Sequence, residues 1–594
     1  MHTAPDTPRP LAGLQKPLAG RWRRCASVLL LLTTACALDN GRQATPPQPA
    51  AHAATGARQM VVAAHPLAAE AGLAMLRAGG SVLDAAIAAQ MMLTLVEPQS
   101  SGIGGGGFLL HFERASGRID AYDGRETAPS GAHEAMFLAP DGQPRSFGEA
   151  SGGGLAVSVP GLLRMLERAH LDHGRLPWRA LFQPAIAEAR SGFTVSPRLA
   201  RAIAGARGPN LNAAGRALFY HPDETPLTAG ERLKNPALAE TLAAVADKGA
   251  DALYTGKIAD AVVAAVREAA NPGSLSEADL AGYTAIRRDA ICAAYRGRRV
   301  CGMPPPSSGG IATLQILGLL EPFDFPATAP MSADAVHWFI EASRLAFADR
   351  DLYVADPDAT AVPTAGLLDR SYLAARSRLI GTRAMPQAAP GLPPDPSRTE
   401  EDAAAAPSEH GTSTTHISVV DSVGNAVAMT SSIEASFGAR IVAAGFVLNN
   451  QLTDFAFVPE VAGRRVKNRP GAGKRPRSSM APTLVFDEGG RLMLVLGSPG
   501  GARIIAYVAQ TLIGVLDWGL NIEDAIDLPR VVNRNGPTEL EPAAATDSLR
   551  QALEQRGHSV QIRELASGLH GIQRNGAVLL GGADPRREGA VRAD

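Results

Sequence analysis

A tract rich in proline and alanine, residues 385–413, stops at Thr414, where a run of β-forming residues begins. The tract also carries acidic residues at 400–402, and such a composition does not form a hydrophobic core of its own. We predict a mobile linker there and a strand over 415–421. A buried threonine at the start of a strand is ordinary, but a threonine freed by cleavage would be a nucleophile.

Length and composition indicate a large α/β protein with many tight turns. The chain has 594 residues, of which 61 are glycine, 45% are hydrophobic and 19% are charged. It can therefore bury a large core. The formal net charge is -1, so no global field would attract nucleic acid or anionic lipid. We expect no nucleic-acid partner.

The amino terminus is typical of a bacterial export signal. A segment with three arginines precedes the apolar run 26–32, which is too short to span a membrane. The run leads to Thr-Thr-Ala-Cys36, which resembles a lipobox whose cysteine is acylated after cleavage. The alternative is ordinary cleavage near Ala35 with an unanchored product. We assign 1–36 to the signal, 37–57 to a flexible tether, and the protein to the periplasm or to a lipid anchor at the cell envelope.

The mature chain keeps two cysteines, Cys292 and Cys301. If Arg296-Gly297 is a two-residue hairpin turn, counting outward places these cysteines opposite each other. Their Cα atoms would then be close enough for a disulfide, which an oxidising periplasm favours. Two unpaired thiols are the alternative.

Two glycine-rich segments resemble nucleotide-binding loops without meeting their requirements. Residues 102–107 contain GxGxxG, but the order here is helix, glycines, strand, whereas the dinucleotide fingerprint needs a preceding strand and a following helix. We interpret these glycines as sites of close backbone packing. Residues 469–475 lack the first glycine and the final Ser or Thr of a phosphate loop.

Several motifs in a fixed order resemble the γ-glutamyltranspeptidase family of N-terminal nucleophile hydrolases. The matching segments are 102–108, 123–126, 303–310, 414–425, 448–451, 474–480, 497–503 and 583–586. The resemblance implies an α/β (α+β) fold, a four-layer αββα sandwich built from both fragments of a precursor that cleaves its own Ser413-Thr414 bond. The large subunit would be 58–413, with 385–413 as its mobile linker, and the small catalytic subunit 414–594.

The resemblance also implies the reaction. Thr414 would attack a γ-glutamyl amide, form an ester and pass the acyl group to water or an acceptor amine. Its new α-amine, with a reference pKa of about 8, is a suitable base for the hydroxyl. The remaining residues that match the catalytic group are expected to orient the hydroxyl or to donate backbone amides to the oxyanion. Thr415 and Ser432 would orient the hydroxyl by hydrogen bonds, with Thr430 nearby, and Gly500 and Gly501 match the oxyanion position.

A γ-glutamyl group presents an α-carboxylate and an α-ammonium, so its pocket needs cationic and anionic sides. Arg125 matches the carboxylate clamp, with Ser478 and Ser479 as donors beside it. The positions that face the ammonium match Glu434, Gln451 and Asp454. Glu434 replaces the asparagine of many relatives, and the loop from Asp454 to Ser478 is short and lacks tyrosine. We therefore expect an open site.

Two alternatives remain. A cephalosporin or glutaryl acylase of the same fold would have no evident use for Glu434 and Asp454, because its substrate lacks the ammonium. A catalytically silent exported binding lipoprotein would need neither Thr414 nor the glycine pair. We predict glutathione and related γ-glutamyl compounds as donors, amino acids or dipeptides as acceptors, and a heterodimer of the two fragments. No cofactor or metal is predicted, because the histidines lack ligand spacing.

Overall fold

A computed structural model describes residues 52–206, 210–394, 403–406, 411 and 413–594. The predicted signal, Cys36 and residues 37–51 of the tether lie outside these residues. The end of the predicted flexible tether is instead ordered, because Ala53–Ala57 forms a strand that pairs with Val578–Ala583. Within the described part, no helix combines the length and apolar character needed to cross a membrane.

Two seven-stranded antiparallel sheets form the centre of the molecule. In spatial order, sheet one consists of Ala590–Ala593, Met60–Ala63, Ser413–Val420, Ala426–Glu434, Gly106–Glu113, Arg118–Gly124 and Ile286–Asp289. In the same way, sheet two consists of Ala53–Ala57, Val578–Ala583, His570–Asn575, Leu492–Gly497, Thr483–Phe486, Arg298–Gly302 and Ile291–Tyr295. Short strands outside these sheets are Phe193–Thr194, Arg232–Leu233, Ala403–Ala404, Val442–Ala443, Phe446–Val447, Glu460–Val461, Arg464–Val466, Val531–Val532, Thr538–Leu540 and Val560–Ile562.

Helices cover the outer face of each sheet. On sheet one these include Pro66–Arg77, Val82–Val96, Leu162–His173, Trp178–Ser191, Pro236–Lys248 and Lys257–Arg267. On sheet two they include Gly309–Leu320, Ala333–Tyr353, Ile504–Leu516 and Ile522–Asp527. The other helices are Phe147–Ser151, Pro197–Ala206, Ala213–Phe219, Asp251–Tyr254, Glu277–Ala281, Thr364–Leu367, Arg370–Ser377 and Thr546–Gln555, with short 3-10 turns at Gly154–Ala156, Phe325–Ala327, Gln451–Asp454 and Gly501–Arg503.

The central strands of sheet one carry apolar residues on both faces, so helices can pack on one face and sheet two on the other. Along one strand, Val61 and Ala63 pack into the cluster with the helices, whereas Met60 and Val62 pack into the cluster shared with sheet two. Because successive side chains point to opposite faces of a strand, alternate positions pack into different cores. The four-layer αββα sandwich that the sequence predicted is confirmed.

The strand order of sheet one crosses the predicted cleavage point. Met60–Ala63, which precedes that point, lies between Ala590–Ala593 and Ser413–Val420, which follow it. The chain end is held in the same place, because the carbonyl of Asp594 accepts hydrogen bonds from the amides of Arg58 and Gln59 at 2.5 and 3.2 Å. The two predicted fragments therefore share one sheet.

The cysteine hairpin forms as the sequence indicated. Arg296 and Gly297 have φ of 49° and 74°, as a two-residue turn with both residues in the left-handed region requires. Cys292 and Cys301 are register partners with Cα atoms 4.1 Å apart, and their sulfurs are bonded. The disulfide closes a hairpin at the edge of sheet two.

Close backbone contacts explain part of the glycine run. A Cβ at Gly104 would collide with the carbonyl of Val447, and one at Gly105 with the carbonyl of Ser432. The next glycines begin the strand Gly106–Glu113, which pairs with Ala426–Glu434. The segment thus fits the interpretation as a packing site, and no helix follows it.

Part of the predicted mobile linker is held in place. The amide of Met385 donates to Glu341 Oε2 at 2.9 Å, and the amide and carbonyl of Ala388 both bond the side chain of Asn535 at 2.8 Å. Farther along, Ala403–Ala404 pairs with Arg464–Val466. Composition alone predicted mobility here, but specific polar partners on neighbouring elements fix these stretches. Residues 395–402, 407–410 and 412 of the linker lie outside the described residues.

Candidate active site

A polar pocket lies at the end of the sandwich where the strand Ser413–Val420 begins. It is lined by Arg125, Arg350, Gly411, Thr414, Ser432, Glu434, Gln451, Asp454, Arg477, Ser478, Ser479, Met480, Gly501, Ala502 and Ile504. Most of the residues predicted from sequence are in this set. Residues from both sides of the Ser413-Thr414 bond contribute to it.

The hydroxyls at the start of the strand form a directed hydrogen-bonded chain. Thr414 Oγ1 donates to Ser432 Oγ at 3.1 Å, and Ser432 Oγ donates to the carbonyl oxygen of Ser413 at 2.8 Å. The amide of Glu434 donates to the same Ser432 oxygen at 2.9 Å. The reactive hydroxyl and the carbonyl of the bond to be cleaved are thus joined through one side chain.

A β-bulge sets the position of the Ser413-Thr414 bond. The register slips between Ser413, which pairs with Glu434, and Thr414, which pairs with Ser432. Glu434 has φ of 78°, a conformation that costs energy for a residue with a side chain. Bulges re-aim side chains at the ends of strands. Here the slip brings both Ser432 and Glu434 to the pocket.

The structure places Thr415 and Thr430 on opposite faces of sheet one. Neighbouring side chains point to opposite faces of a strand, so Thr415 lies on the helix-covered face of sheet one, where its buried hydroxyl faces the carboxyl group of Glu97. Thr430 is on the same face as Thr414, but it bonds His416 Nδ1 at 2.8 Å. Of the two residues expected to orient the nucleophile, Ser432 forms a hydrogen bond with it, and Thr415 lies on the opposite face of the strand.

The glycine pair lies where a helix begins. Gly501 lines the pocket and Gly500 precedes it, with φ of 61° and 138°, and the helix Ile504–Leu516 follows. A Cβ at Gly500 would lie 2.7 Å from the ring of Tyr507. Backbone amides at a helix start face developing negative charge favourably.

Arg125 is fully buried and already has several partners. Its Nε donates to the carbonyl of Pro476 at 3.0 Å and its Nη1 to Glu126 Oε2 at 3.3 Å. Its Nη2 donates to the carbonyl of Arg477 at 3.1 Å and to Asp454 Oδ2 at 2.5 Å. Four of its five N–H groups are therefore used, and a bidentate grip on a carboxylate requires one present partner to leave.

The acidic side of the pocket lies next to this arginine. Asp454 Oδ2 also accepts from Gln451 Nε2 at 2.7 Å. Glu434 is buried, and its Oε2 accepts from Asn450 Nδ2 at 2.5 Å. Burial, followed by the neighbouring charge of Asp454, holds the pKa of Glu434 well above its ordinary value. This carboxyl is suited to a cationic ligand group, whose arrival would favour its ionised form.

The uncleaved chain itself occupies part of this side. Gly411 lines the pocket and packs so closely on Glu434 that a Cβ there would collide with its carboxyl oxygen. The segment before the cleavage point therefore fills space next to the predicted ammonium position.

Ser478 and Ser479 belong to a polar network that also includes Arg350 and Arg477, which the sequence analysis did not predict as site residues. Ser479 Oγ accepts from Arg350 Nη2 at 2.9 Å, and the carbonyl of Ser478 accepts from Ser308 Oγ at 2.6 Å. Arg477 donates to the carbonyl of Arg350 at 3.0 Å. Arg350 lies within the long helix Ala333–Tyr353 and gave no local signal, whereas Arg477 lay inside the 474–480 motif and was not singled out.

Within the described residues, the fold brings together two clusters, each of two histidines and one carboxylate, that the spacing of these residues in the sequence did not reveal. They are His111, Asp120 and His173, and His337, Glu341 and His558. In each, the carboxylate already faces arginine: Asp120 pairs with Arg118 and Arg287, and Glu341 with Arg344. A nearby cation disfavours metal at both.

An αββα sandwich with a threonine hydroxyl at the start of a central strand, next to amides at a helix start, defines the N-terminal nucleophile hydrolase class. Comparisons with known proteins specify the family. A family model described as "Gamma-glutamyltranspeptidase" matches residues 68–593. The chain therefore belongs to the γ-glutamyltranspeptidase family.

The chain is similar both to proteins described as glutathione hydrolases and to proteins described as acylases. A glutathione hydrolase proenzyme of Escherichia coli (strain K12) is 37% identical, with 90% of this chain and 91% of the relative covered. An acylase ACY 1 proenzyme of Pseudomonas sp. (strain SE83) is also 37% identical, with 89% and 92% covered. Among solved structures, a cephalosporin acylase from Bacillus halodurans has a TM-score of 0.79 at 28% identity, covering 94% of this chain and 99% of that one.

Proposed function

We propose that this protein is a γ-glutamyl hydrolase and transferase that cleaves the γ-glutamyl amide of glutathione and related compounds. The observation that carries the proposal is the hydrogen-bonded chain from Thr414 through Ser432 to the Ser413 carbonyl, at the mouth of a pocket with Arg125 and Asp454. A nucleophile lies at one end, and paired cationic and anionic groups lie near it.

Maturation begins within the hydrogen-bonded chain. Thr414 Oγ1 attacks the carbonyl carbon of Ser413, its proton passes to Ser432, and the proton of Ser432 passes to the carbonyl oxygen. The tetrahedral intermediate then expels the Thr414 nitrogen, which takes up that proton, and an ester remains. Water hydrolyses the ester to the Ser413 carboxylate and the free Thr414 hydroxyl. The α-amine released in this way is the base that an uncleaved amide cannot supply.

Turnover repeats the chemistry on a substrate. The amine takes the hydroxyl proton of Thr414 while the oxygen attacks the γ-carbonyl carbon, and the amides at Gly500 and Gly501 receive the negative charge. The leaving amine departs with a proton, and a γ-glutamyl ester forms. Water or an acceptor amine, such as an amino acid or dipeptide, then takes the acyl group.

Substrate binding requires the pocket to rearrange. An α-carboxylate reaches two N–H groups of Arg125 when Asp454 releases the guanidinium, and the α-ammonium then offers Asp454 a replacement partner. Glu434 and Gln451 would bind the same ammonium, with Ser478 and Ser479 beside the carboxylate. Departure of the Gly411 segment after cleavage opens this space.

A second candidate is a glutaryl or cephalosporin acylase, favoured by the acylase relatives and the acylase structure that resembles this chain. The buried Glu434 next to Asp454 argues against it, because a glutaryl group brings no cation to them. The rates on γ-glutamyl-p-nitroanilide and glutaryl-p-nitroanilide decide between the two. A rate on the glutaryl substrate equal to or above the γ-glutamyl rate would refute our assignment.

Cleavage and activity are tested together. We expect denaturing electrophoresis to show two fragments for the wild type and full-length, inactive protein for Thr414→Ala. Glutathione turnover with and without a dipeptide acceptor then measures hydrolysis against transfer. Failure of the wild type to split would favour a silent binding protein instead.

We also propose export, with the protein periplasmic or anchored through a lipid on Cys36. The support is the arginine-flanked apolar run and the small residues before that cysteine. Incorporation of labelled palmitate into the wild type, lost in Cys36→Ala, is the expected result. Equal labelling of both proteins would rule out this acylation site.

A further inference from the structure

At the end of the sandwich opposite Thr414, the hairpin turns of the two sheets surround a second cleft, which we call the far cleft. Its walls come from the turns after Gly106–Glu113, Ser413–Val420, Thr483–Phe486 and His570–Asn575. Three arginines, Arg114, Arg491 and Arg574, line it above a floor that includes Phe112, Leu492 and Met493. Thr414 lies near the start of a strand whose far end, Val420, enters this region, roughly 20 Å away at about 3.3 Å per residue.

Two of these arginines converge over one glycine. Gly424 is in a turn with φ of 92°, and a Cβ there would collide with Arg574 Nη1 and lie 3.1 Å from Arg114 Cδ. Arg574 Nε donates to the carbonyl of Gly576 at 3.0 Å, and Arg114 Nη1 donates to that of Val423 at 2.8 Å. Backbone carbonyls thus orient both guanidinium groups towards a common space.

Neither guanidinium forms a salt bridge with a carboxylate among the described residues; their side-chain hydrogen bonds go to backbone carbonyls. Asp421 accepts hydrogen bonds from the amides of Val423, Gly424 and Asn425, so it is committed to its own turn. Burial and the like charge of Arg114 lower the pKa of Arg574, with Asp421 offsetting part of the effect.

The third arginine differs. Arg491 pairs with Asp487 at 2.8 Å, and Asp487 also accepts from the amides of Gly489 and Arg491. Its charge is therefore neutralised locally, as is the charge of the acid. Among the described residues, Arg114 and Arg574 are therefore the arginines of the far cleft that have no salt-bridge partner.

The geometry points to an oxyanion site at the far cleft, in which Arg114 and Arg574 bind a phosphate-type dianion. Two guanidinium groups match two negative charges and supply parallel N–H donors to the same oxygens. An anion bound between the arginines would offset their mutual repulsion, and this electrostatic gain would favour binding. The apolar floor accommodates a carbon chain attached to the phosphate.

Binding is tested by calorimetry with inorganic phosphate, in 150 mM NaCl so that simple screening is already present. We expect saturable binding that weakens at least tenfold in Arg574→Gln and less in Arg574→Lys, which keeps the charge but loses the planar fork. Arg550→Gln is the matched control, because it removes one positive charge from an exposed, ion-paired helix position. No phosphate binding by the wild type, or equal affinity in Arg574→Gln, overturns the proposal.

Two further arms identify the source of the phosphate. Co-sedimentation with phosphatidylglycerol vesicles but not phosphatidylcholine vesicles, lost in Arg574→Gln, assigns a lipid headgroup. Binding of glycerol phosphate without vesicle binding assigns a small soluble ester. In all variants we expect unchanged fragment formation and γ-glutamyl turnover, so failure of this site is distinguishable from failure of the proposed reaction.

Discussion

Ser432 is the residue on which both the precursor and the mature site depend. It receives the hydrogen bond of Thr414 and donates one to the Ser413 carbonyl. The sequence predicted its contact with the nucleophile but not its contact with the carbonyl. The second contact arises from the bulge, which no residue pattern announced.

Replacement of Ser432 by alanine removes the donor to the carbonyl and the acceptor for the nucleophile. We expect Ser432→Ala to slow self-cleavage by about 10² to 10³, as for loss of an oxyanion donor. Ser432→Thr keeps a hydroxyl and should mature close to the wild-type rate. The measurement is the fraction of full-length chain against time on denaturing gels, and wild-type kinetics in the alanine variant would exclude the relay.

Glu126 provides a pH signature. Burial outweighs the attraction of Arg125 and raises the pKa of Glu126 from 4.5 to about 7. The folded state then binds more protons than the unfolded state between these values, so this group makes the free energy of unfolding fall as pH rises from about 4.5 to 7. Outside that window its contribution is constant.

The variant Glu126→Gln should lack this component. In a Thr414→Ala background, which keeps one covalent chain, we expect the stability of Glu126→Gln relative to its parent to rise between pH 4.5 and 7 by up to about 3 kcal/mol. Urea unfolding midpoints at several pH values measure it. A difference between the two proteins that does not change with pH would show that Glu126 titrates normally.

Individual elements were predicted unevenly, and the reasons are physical. The cysteine hairpin followed from a two-residue turn, because turn geometry fixes strand register. The orienting role of Thr415 was assigned from a motif that does not encode which face each side chain occupies. The stretch around Ala388 was predicted to be mobile, since its anchoring partner Asn535 is distant in sequence and gives no local pattern.

The hairpin disulfide closes a loop with a sequence separation of 9 residues. Loop-closure entropy for that length gives a stabilisation of roughly 2.5 kcal/mol. We expect reductant to lower the melting temperature of the wild type, while Cys292→Ser/Cys301→Ser melts at that lower temperature with or without reductant. Equal melting of oxidised and reduced wild type would show that the bridge contributes nothing.

For the whole molecule, the sandwich was predictable, because a family resemblance fixes topology across many motifs. The sharing of sheet one between fragments gives that topology a consequence for assembly. Separation of the fragments would strip strands from both sides of Met60–Ala63 and expose backbone groups and core side chains to water.

We therefore expect the cleaved fragments to remain together without a covalent link. Size-exclusion chromatography of the wild type should give the same elution volume as uncleaved Thr414→Ala, while denaturing electrophoresis resolves two bands only for the wild type. Elution of a free small fragment in native buffer would contradict the interleaved strand order.

Asp594 lies next to Arg58 and Gln59, so the two ends of this part of the chain could be joined without changing the fold around them. A short link from Asp594 to Arg58, with the chain opened before Thr414, would yield a circular permutant that keeps the strand neighbours of sheet one and lacks only the edge strand Ala53–Ala57 of sheet two. Its first residue would be the nucleophile, so a processed leader would suffice to release the amine. In such a molecule, activity would no longer depend on self-cleavage, and maturation and turnover could be studied apart.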